Sequence, residues 1–203
     1  VEETLEYVRR ELTHPDGALF AAQDADSQGH EGTYFVWERG EIAALLGAEM
    51  AEEFCRYYGV TENGNFEGKN VLNRLGGMQL APEAQEQVES LLRPARMALL
   101  AAREQRVKPQ RDDNILTSWN AMMVSAYLDA YHAFGVPAHL AAAERALTFL
   151  LDYAVENRRV YRTVTAGKGR LNGYLDDAAC LAAALLDAFE ATSHRWYLDQ
   201  ARE

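Results

Sequence analysis

Three acidic clusters contain the side chains of this sequence that are best suited to chemistry. Asp24 and Asp26 lie in the polar stretch FAAQDADSQGHEGTYFVW, and paired aspartates occur at Asp112–Asp113 in KPQRDDNILTSWN and at Asp176–Asp177 in NGYLDDAA. Carboxylates can act as general acids, bases or nucleophiles, they can bind metal ions, and they can cap helices. Which of these roles applies depends on where the fold places the clusters.

The first cluster has the beginning of a calcium loop but not its end. Counted from Asp24, the stretch supplies Asp26, Gln28 and Gly29 at the third, fifth and sixth positions, as an EF-hand loop does. The twelfth position, where a glutamate normally closes the calcium site, is Phe35. The histidines show no H-x-x-x-H or H-x-E spacing. We therefore predict no metal site and no cofactor.

Composition excludes several classes of protein. The formal net charge of −11 and the lack of a Lys/Arg block argue against a nucleic-acid partner, since phosphate binding requires a basic face. No apolar run approaches the roughly 20 residues of a membrane span. Cys55 and Cys180 are far apart and form no C-x-x-C pair, which favours free, buried thiols and a cytoplasmic protein.

Most of the chain has the apolar spacing of helices. We predict helices over residues 1–12, 41–46, 50–58, 83–104, 118–134, 138–156 and 177–191, with another beginning near Arg195. Pro94 is expected to kink or split the fourth of these helices. The stretches GTYFVW and RRVYRTV are rich in β-branched and aromatic residues and predict two short strands.

An internal repeat indicates how the helices are arranged. At an offset of 58 residues, residues 128–143 (LDAYHAFGVPAHLAAA) match residues 186–201 (LDAFEATSHRWYLDQA) at six identical positions. Each unit reads as an apolar helix, expected to be buried on both sides, followed by a turn and an amphipathic outer helix. Repeated helix pairs of this kind predict an all-α fold, part of an (α/α)6 toroid of αα-hairpins, with short β-hairpin insertions at the rim. The alternative is an irregular helical bundle.

The predicted topology brings the acidic clusters together. In such a toroid all inner helices run in the same direction, and each acidic cluster precedes an inner helix or the strand that leads to one. We therefore expect the clusters to meet around one mouth, where Thr117 or Ser118 should cap an inner helix. A simpler interpretation applies to each aspartate alone, because Asp before a helix caps free N–H groups. Arg111 could likewise form an ion-paired latch with its neighbouring aspartates.

These motifs resemble a known family. QDADSQGHEGTYFVW, GNFEGKNVL, KPQRDDNILTSWNAMM and YLDDAA together are similar to the YyaL-type family, which includes the spermatogenesis-associated thioredoxin-like proteins. The resemblance implies a thioredoxin-like domain followed by an (α/α)6 barrel similar to those of N-acylglucosamine 2-epimerases and six-hairpin glycosidases. Residues 1–203 would then be a fragment of one such barrel, without the thioredoxin-like domain and the closing hairpins.

The resemblance also implies a set of site residues. The candidate catalytic residues are Asp112, Asp113 and Asp177, because glycoside hydrolysis needs two carboxyl groups across the scissile bond. The candidate substrate-binding residues are Asp24, Asp26, Glu31, Asn65, Phe66, Arg111, Trp119, Asn120 and Asp176.

Two functions remain open at this point. The first is a carbohydrate-active barrel, either a glycoside hydrolase or an epimerase-like enzyme, with the acidic rim forming a sugar-sized site. The second is a non-catalytic barrel that binds a ligand or partner and supports a thioredoxin-like redox domain. In both cases we expect no turnover from the fragment alone, and we expect self-association through exposed edges of inner helices.

Overall fold

The computed structural model describes residues 1–75 and 81–203, which form two units with separate cores. Unit 1 comprises Val1–Gln23 and Arg111–Glu203, and unit 2 comprises Asp24–Gln110. One cluster of buried apolar side chains lies within each unit. The chain is rich in helices and has only short strands, so the predicted mostly helical fold is confirmed. The toroidal arrangement of its hairpins stays a prediction.

Unit 1 contains most of the long helices. Its N-terminal segment is helix α1 (Glu2–Tyr7), a π-helical turn (Val8–Leu12) and strand β1 (Ala22–Gln23). The remainder consists of β4 (Arg111–Asp112), β5 (Ile115–Leu116), α5 (Thr117–Phe134), α6 (Pro137–Tyr153), β6 (Val155–Glu156), β7 (Arg159–Thr165), β8 (Lys168–Asn172), α7 (Leu175–Thr192) and α8 (Arg195–Ala201).

The sequence repeat is also a structural repeat. Helices α5 and α7 are both 18 residues long and begin 58 residues apart. Each ends at a left-handed residue, Gly135 or Ser193, and the next helix begins two residues later in both cases. Contacts join α5 to α7 at both their N-terminal and middle turns, through Ser118–Asp177 and Ser125–Asp187. The two inner helices therefore run side by side in the same direction.

The inner helices are less buried than their composition predicts. On α5, Trp119 and Met122 are more than half exposed. On α7, Leu175 and Leu186 lie on an exposed face, while Leu181 and Leu185 face the core. Burial on both sides is therefore wrong for these helices, because within unit 1 each has neighbours on only part of its surface. Apolar composition shows that a helix can be packed on two sides, but it does not show whether a neighbouring element covers the second side.

A small antiparallel sheet covers the beginning of α5. Strand β7 pairs with β5, β6 and β8, so the strand predicted from RRVYRTV is confirmed. The predicted helix 138–156 ends earlier, at Tyr153, because Val155 and Glu156 pair with Val160 and Arg159 instead of continuing the helix. The second sheet of this unit is the two-residue pair of β1 with β4.

The described residues of unit 2 form three helices and long loops. Its elements are β2 (Asp26–Ser27), β3 (His30–Glu31), α2 (Arg39–Leu46), α3 (Ala48–Tyr57) and α4 (Pro82–Arg103). Helix α4 continues through Pro94 as one helix. Pro94 is exposed, while Leu92, Ala95 and Leu99 are buried in the core of the unit and hold both halves in place.

The strand predicted from GTYFVW, residues 32–37, is wrong. Gly32 has a φ of +73°, and its carbonyl accepts the N–H groups of Phe35 and Val36 at 2.7 and 3.1 Å, which closes a turn. Only Trp37 pairs like a strand residue, with Asn70. The guanidinium of Arg106 donates to the carbonyls of Tyr34 and Val36 at 2.9 and 2.8 Å, so it takes up acceptors that a partner strand would have used.

The loop NGNFEGKN provides the first testable prediction. Gly64 has a φ of +72°, and a Cβ there would lie 2.3 Å from the carbonyl oxygen of Lys69. Gly68 has nearly the same φ, +78°, but no described atom within 4 Å of its Cβ position. Gly64→Ala should lower the free energy of unfolding by about 2–3 kcal/mol, and Gly68→Ala by only about 1 kcal/mol. Urea denaturation measures both, and equal losses would contradict the proposed steric contact.

Candidate functional site

A single buried carboxylate connects the ends of the two inner helices. The Asp177 side chain is fully buried, although it is the third residue of α7. Its Oδ2 accepts the N–H of Tyr174, directly before its own helix, at 2.9 Å. Its Oδ1 accepts the N–H of Ser118, the second residue of α5, at 3.2 Å. Asp177 therefore caps two helices at once, and it fixes the backbone of Tyr174 close to that of Ser118.

Strand β7 supplies a positive charge beside this carboxylate. Arg162 Nη1 lies 3.5 Å from Asp177 Oδ2 and 3.9 Å from Asp176 Oδ2. Its guanidinium carbon also lies 4.9 Å from the centre of the Tyr174 ring, within the range of a cation–π contact. The paired aspartates are thus compensated by one arginine. The Asp176 side chain is exposed, whereas Asp177 is enclosed.

Two aromatic rings stand at the same helix ends. Trp119, on the first turn of α5, is 52% exposed, and Tyr174, directly before α7, is 66% exposed. Exposed aromatic rings offer flat apolar surfaces that a ligand or partner can cover. With Asp176 and Arg162, these rings form the candidate site, which we call the helix-end face.

The predicted caps of α5 do not form. Neither Thr117 nor Ser118 caps the helix with its side chain. Thr117 lies within the first turn, and its hydroxyl donates instead to the carbonyl of Tyr161 on β7 at 2.6 Å. The predicted cap is wrong because Asp177, from the neighbouring helix, supplies the acceptor that a local hydroxyl would have offered.

The acidic pair before α5 forms local bonds. Arg111 Nε donates to Asp113 Oδ1 at 2.6 Å, so the ion pair expected for this motif is present. Asp112 Oδ1 accepts both the backbone N–H and the side-chain amide of Asn114, at 3.0 and 2.7 Å. The Arg111 guanidinium carbon lies 3.8 Å from the centre of the Phe20 ring. Both aspartates are nevertheless exposed, so their outer oxygens face solvent.

Asn120 has a buried, backbone-binding position. It is 2% exposed, its Oδ1 accepts the N–H of Leu19 at 2.7 Å, and its Nδ2 donates to the carbonyls of Leu19 and Leu116 at 2.9 Å each. All of the amide's described bonds are thus to backbone groups of unit 1. This places Asn120 in the interior of the fold, whereas its neighbour Trp119 is exposed.

The remaining predicted residues lie in unit 2. Asp24, Asp26 and Glu31 are exposed, Asp24 Oδ1 accepts the N–H of Asp26 at 3.1 Å, and Asp26 pairs with Glu31 in the β2–β3 hairpin. Within residues 1–75 and 81–203, no group of three or more His, Cys, Asp or Glu side chains is arranged to hold a metal ion. The described side-chain bond of Asp24 is thus a local one, and the pairing of Asp26 with Glu31 closes a tight turn.

The second motif of unit 2 is likewise held by its own backbone. Asn65 exchanges two hydrogen bonds with the backbone of Val71, at 2.8 and 2.9 Å. Phe66 packs over Gly32, whose Cβ position is 3.2 Å from its ring. These contacts explain the motif as a folded loop. The meeting of all acidic clusters at one mouth stays a prediction, since Asp24 and Asp26 lie in unit 2 and the two aspartate pairs lie in unit 1.

Sequence reasoning missed Arg162 and Tyr174. A signal existed for both. Arg162 alternates with Val160 and Val164 on the inward face of a predicted strand, and Tyr174 lies two residues before the paired aspartates.

Cys55 is a buried free thiol, and burial raises its pKa. Cys180 is also free but only half-buried. Throughout the described part of the chain, no helix has the length and apolar character needed to cross a membrane.

Comparison with known proteins finds relatives that match nearly all of this chain. No family model matches the chain. Spermatogenesis-associated protein 20 of Mus musculus is 31% identical over 236 residues, covering 97% of this chain, and that of Homo sapiens is 30% identical over the same length. An uncharacterised protein of Caenorhabditis elegans is 28% identical and covers all of it. The chain spans about a third of the length of these curated relatives. The matches support a place for this chain in the family of spermatogenesis-associated protein 20.

Proposed function

We propose that the helix-end face binds a carbohydrate and that this chain is a carbohydrate-binding part of the complete family protein. The observation that carries the proposal is the exposure of two aromatic rings, Trp119 and Tyr174, at two helix ends that Asp177 joins, near the exposed carboxylate of Asp176. The backbone of Tyr174 is held near that of Ser118, the residue before Trp119, because Asp177 binds the N–H groups of both Ser118 and Tyr174. The backbone of this face is therefore organised before any ligand arrives.

The chemistry of this face suits a sugar. Aromatic rings offer apolar surfaces of the size of a pyranose face, and a carboxylate and a guanidinium accept and donate hydrogen bonds to hydroxyl groups. Arg162 lies against the Tyr174 ring and between the two aspartates, so it fixes the ring while keeping donors near Asp176. A neutral, hydroxylated ligand fits this mixture better than a strongly charged one.

The geometry favours binding over hydrolysis. A glycosidase needs two carboxyl groups that reach opposite sides of the scissile bond. Asp177 is fully buried and both of its oxygens accept backbone N–H groups, so neither oxygen is exposed to a substrate. Asp112 and Asp113 are engaged by Asn114 and Arg111. We therefore propose that this face binds a sugar without hydrolysing it. The catalytic assignment of these three aspartates stays a prediction.

Sugar titration of the 203-residue chain tests this function. Binding of glucose, N-acetylglucosamine and maltose can be followed by tryptophan fluorescence and by thermal shift, since a bound ligand raises the melting temperature. We expect at least one of these sugars to bind. Trp119→Ala and Tyr174→Ala should each weaken that binding by about tenfold, the effect of losing one stacking contact.

Trp196→Ala is the matched control. Trp196 is also an exposed tryptophan of unit 1, at 43%, but it lies on α8 rather than at the helix-end face. The variant should bind the sugar as the wild type does. Absence of binding by all three sugars, or an equal loss in Trp196→Ala, would rule out the helix-end face as a carbohydrate site.

A further inference from the structure

Unit 2 contains a polar cavity that none of the sequence motifs predicted. Its volume is about 360 Å³, within the range of about 300–1,000 Å³ that is typical of small-molecule sites. The lining side chains that matter for recognition are Thr33, Gln28, Gln105, Lys69, Arg106 and Glu41. All of them belong to one unit, so the cavity is formed by a single piece of the fold.

One wall of this cavity carries an immobilised cation. The Arg106 guanidinium carbon lies 4.1 Å from the centre of the Trp37 ring, and Arg106 donates to the carbonyls of Tyr34 and Val36. Its Nη2 also binds Glu41 at 2.7 Å. Because these contacts already fix the side chain, a ligand that meets this wall does not have to order it.

A second cation stands at the cavity with weaker restraint. Lys69 is 45% exposed, and the nearest carboxylate oxygen paired with it, from the exposed Glu38, is 3.7 Å away. Such a solvent-exposed pair contributes little, so the ammonium retains capacity to bind a ligand. Arg106 is already neutralised by Glu41, which leaves the charge of Lys69 as the excess on the lining.

Three neutral side chains complete the lining. Among the described residues, Thr33, Gln28 and Gln105 have no side-chain hydrogen bond to another residue, although each borders the cavity. A hydroxyl and two amides offer both donors and acceptors. Thr33 is half-buried and Gln28 and Gln105 are exposed, so water or the hydroxyl groups of a ligand can supply their partners.

We propose that this cavity binds a small hydroxylated carboxylate, such as a sugar acid. The ligand's single negative charge would pair with Lys69, and its hydroxyl groups would bond to Thr33, Gln28 and Gln105. A phosphate dianion fits less well. The first turn of α2 borders the cavity, but the Glu41 carboxylate of that turn lies on the lining and would repel a second negative charge. This site is independent of the helix-end face, which lies in unit 1.

The test is a titration with D-glucuronate, followed by NMR of the tryptophan indole N–H groups. Trp37 lies directly beneath Arg106 and should report on the cavity, whereas Trp119 reports on the helix-end face. We expect a saturable chemical-shift change of the Trp37 indole N–H with D-glucuronate. Glucose has a similar ring and hydroxyl groups but no charge, so its dissociation constant should be at least about tenfold larger. Acetate, which has the charge without the hydroxyls, should also bind at least tenfold more weakly.

Variants separate this site from its alternatives. Lys69→Met should weaken D-glucuronate binding by about tenfold, whereas Lys168→Met, which removes an exposed lysine from unit 1, should have no effect. Trp119→Ala should leave the Trp37 response intact, even if it abolishes sugar binding at the helix-end face. A second variant, Thr33→Val, removes one hydroxyl at nearly constant volume and should weaken binding by several-fold. No shift at Trp37, equal binding of glucose and D-glucuronate, or unchanged binding in Lys69→Met would overturn the proposal.

Discussion

Asp177→Ala is expected to lower the free energy of unfolding by about 3–5 kcal/mol, the usual loss when one partner of a buried charged network is removed. Both oxygens of Asp177 accept backbone N–H groups, and the first turns of α5 and α7 depend on them. Removing the carboxylate leaves the buried N–H of Ser118 and the partly buried N–H of Tyr174 without their described partner, and it leaves Arg162 with Asp176 at 3.9 Å. Each of these losses acts in the same direction.

Asp176→Ala is the matched control. The two aspartates are neighbours on the same helix turn and near the same arginine, but Asp176 is exposed. Its removal should cost less than about 1 kcal/mol, as for most surface ion pairs. Urea denaturation followed by far-UV circular dichroism measures both variants. Equal losses would mean that the negative charge beside Arg162 matters and the two capping bonds do not.

Asp177→Asn distinguishes the capping bonds from the charge. Asparagine keeps one oxygen but turns an NH₂ group toward the other N–H, so it can satisfy only one of the two helix ends. We expect a loss smaller than that of Asp177→Ala but still above about 1.5 kcal/mol. A variant as stable as the wild type would show that the second bond contributes nothing.

The hairpin repeat could be predicted because its signals are local. Apolar spacing defines α5 and α7, and the chain turns after each at Gly135 or Ser193, two residues before the next helix. Glycine is a common left-handed terminator, but Ser193 is not, and only the match to Gly135 in the repeat marks it. Local patterns that occur twice thus predicted the order of these helices, and the bounds of each to within two residues.

The role of the paired aspartates could be predicted only in part. Helical spacing places Asp177 four residues before Leu181, on the core side of α7, and Asp176 on the exposed side. That argument distinguishes the buried aspartate from the exposed one. The partner of the buried carboxylate, the N–H of Ser118, lies 59 residues away and has no trace in the local sequence.

The error at GTYFVW has a similar cause. Aromatic and β-branched residues favour strands, but this preference depends on the presence of a partner strand. Arg106, about 70 residues away in sequence, binds the carbonyls of Tyr34 and Val36 and stabilises a turn instead. The cavity of unit 2 was missed for the same reason, since its lining comes from separate loops, from the first turn of α2 and from the segment after α4.

Asparagines show most clearly where sequence reasoning ends. Asn65, Asn70 and Asn120 each bind both the N–H and the carbonyl of one other residue, as a residue of a paired strand would do. The resemblance to a family suggested Asn65 and Asn120 as ligand-binding residues. In the structure their amides join segments of the chain, and for Asn120 the segments are 101 residues apart.

Asn120→Ala is therefore expected to lower the free energy of unfolding by about 3–4 kcal/mol. The substitution removes three hydrogen bonds in a region that is 2% exposed, and it leaves the N–H of Leu19 and two carbonyls without their described side-chain partner. A buried group left unsatisfied costs more than the net value of one hydrogen bond, which is about 1 kcal/mol. Alanine also leaves space where the amide was, which adds to the loss.

Asn114→Ala is the control for this variant. Asn114 belongs to the same motif, but it is exposed and its amide bonds only to Asp112 among the described residues. It should lose less than about 1 kcal/mol in the same urea denaturation. If Asn120 acted through a ligand instead, Asn120→Ala would unfold like the wild type without sugar and differ only when sugar is present. A large loss in the absence of any ligand would assign this residue to the fold, and Trp119, one residue earlier, would be the member of the pair available to a ligand.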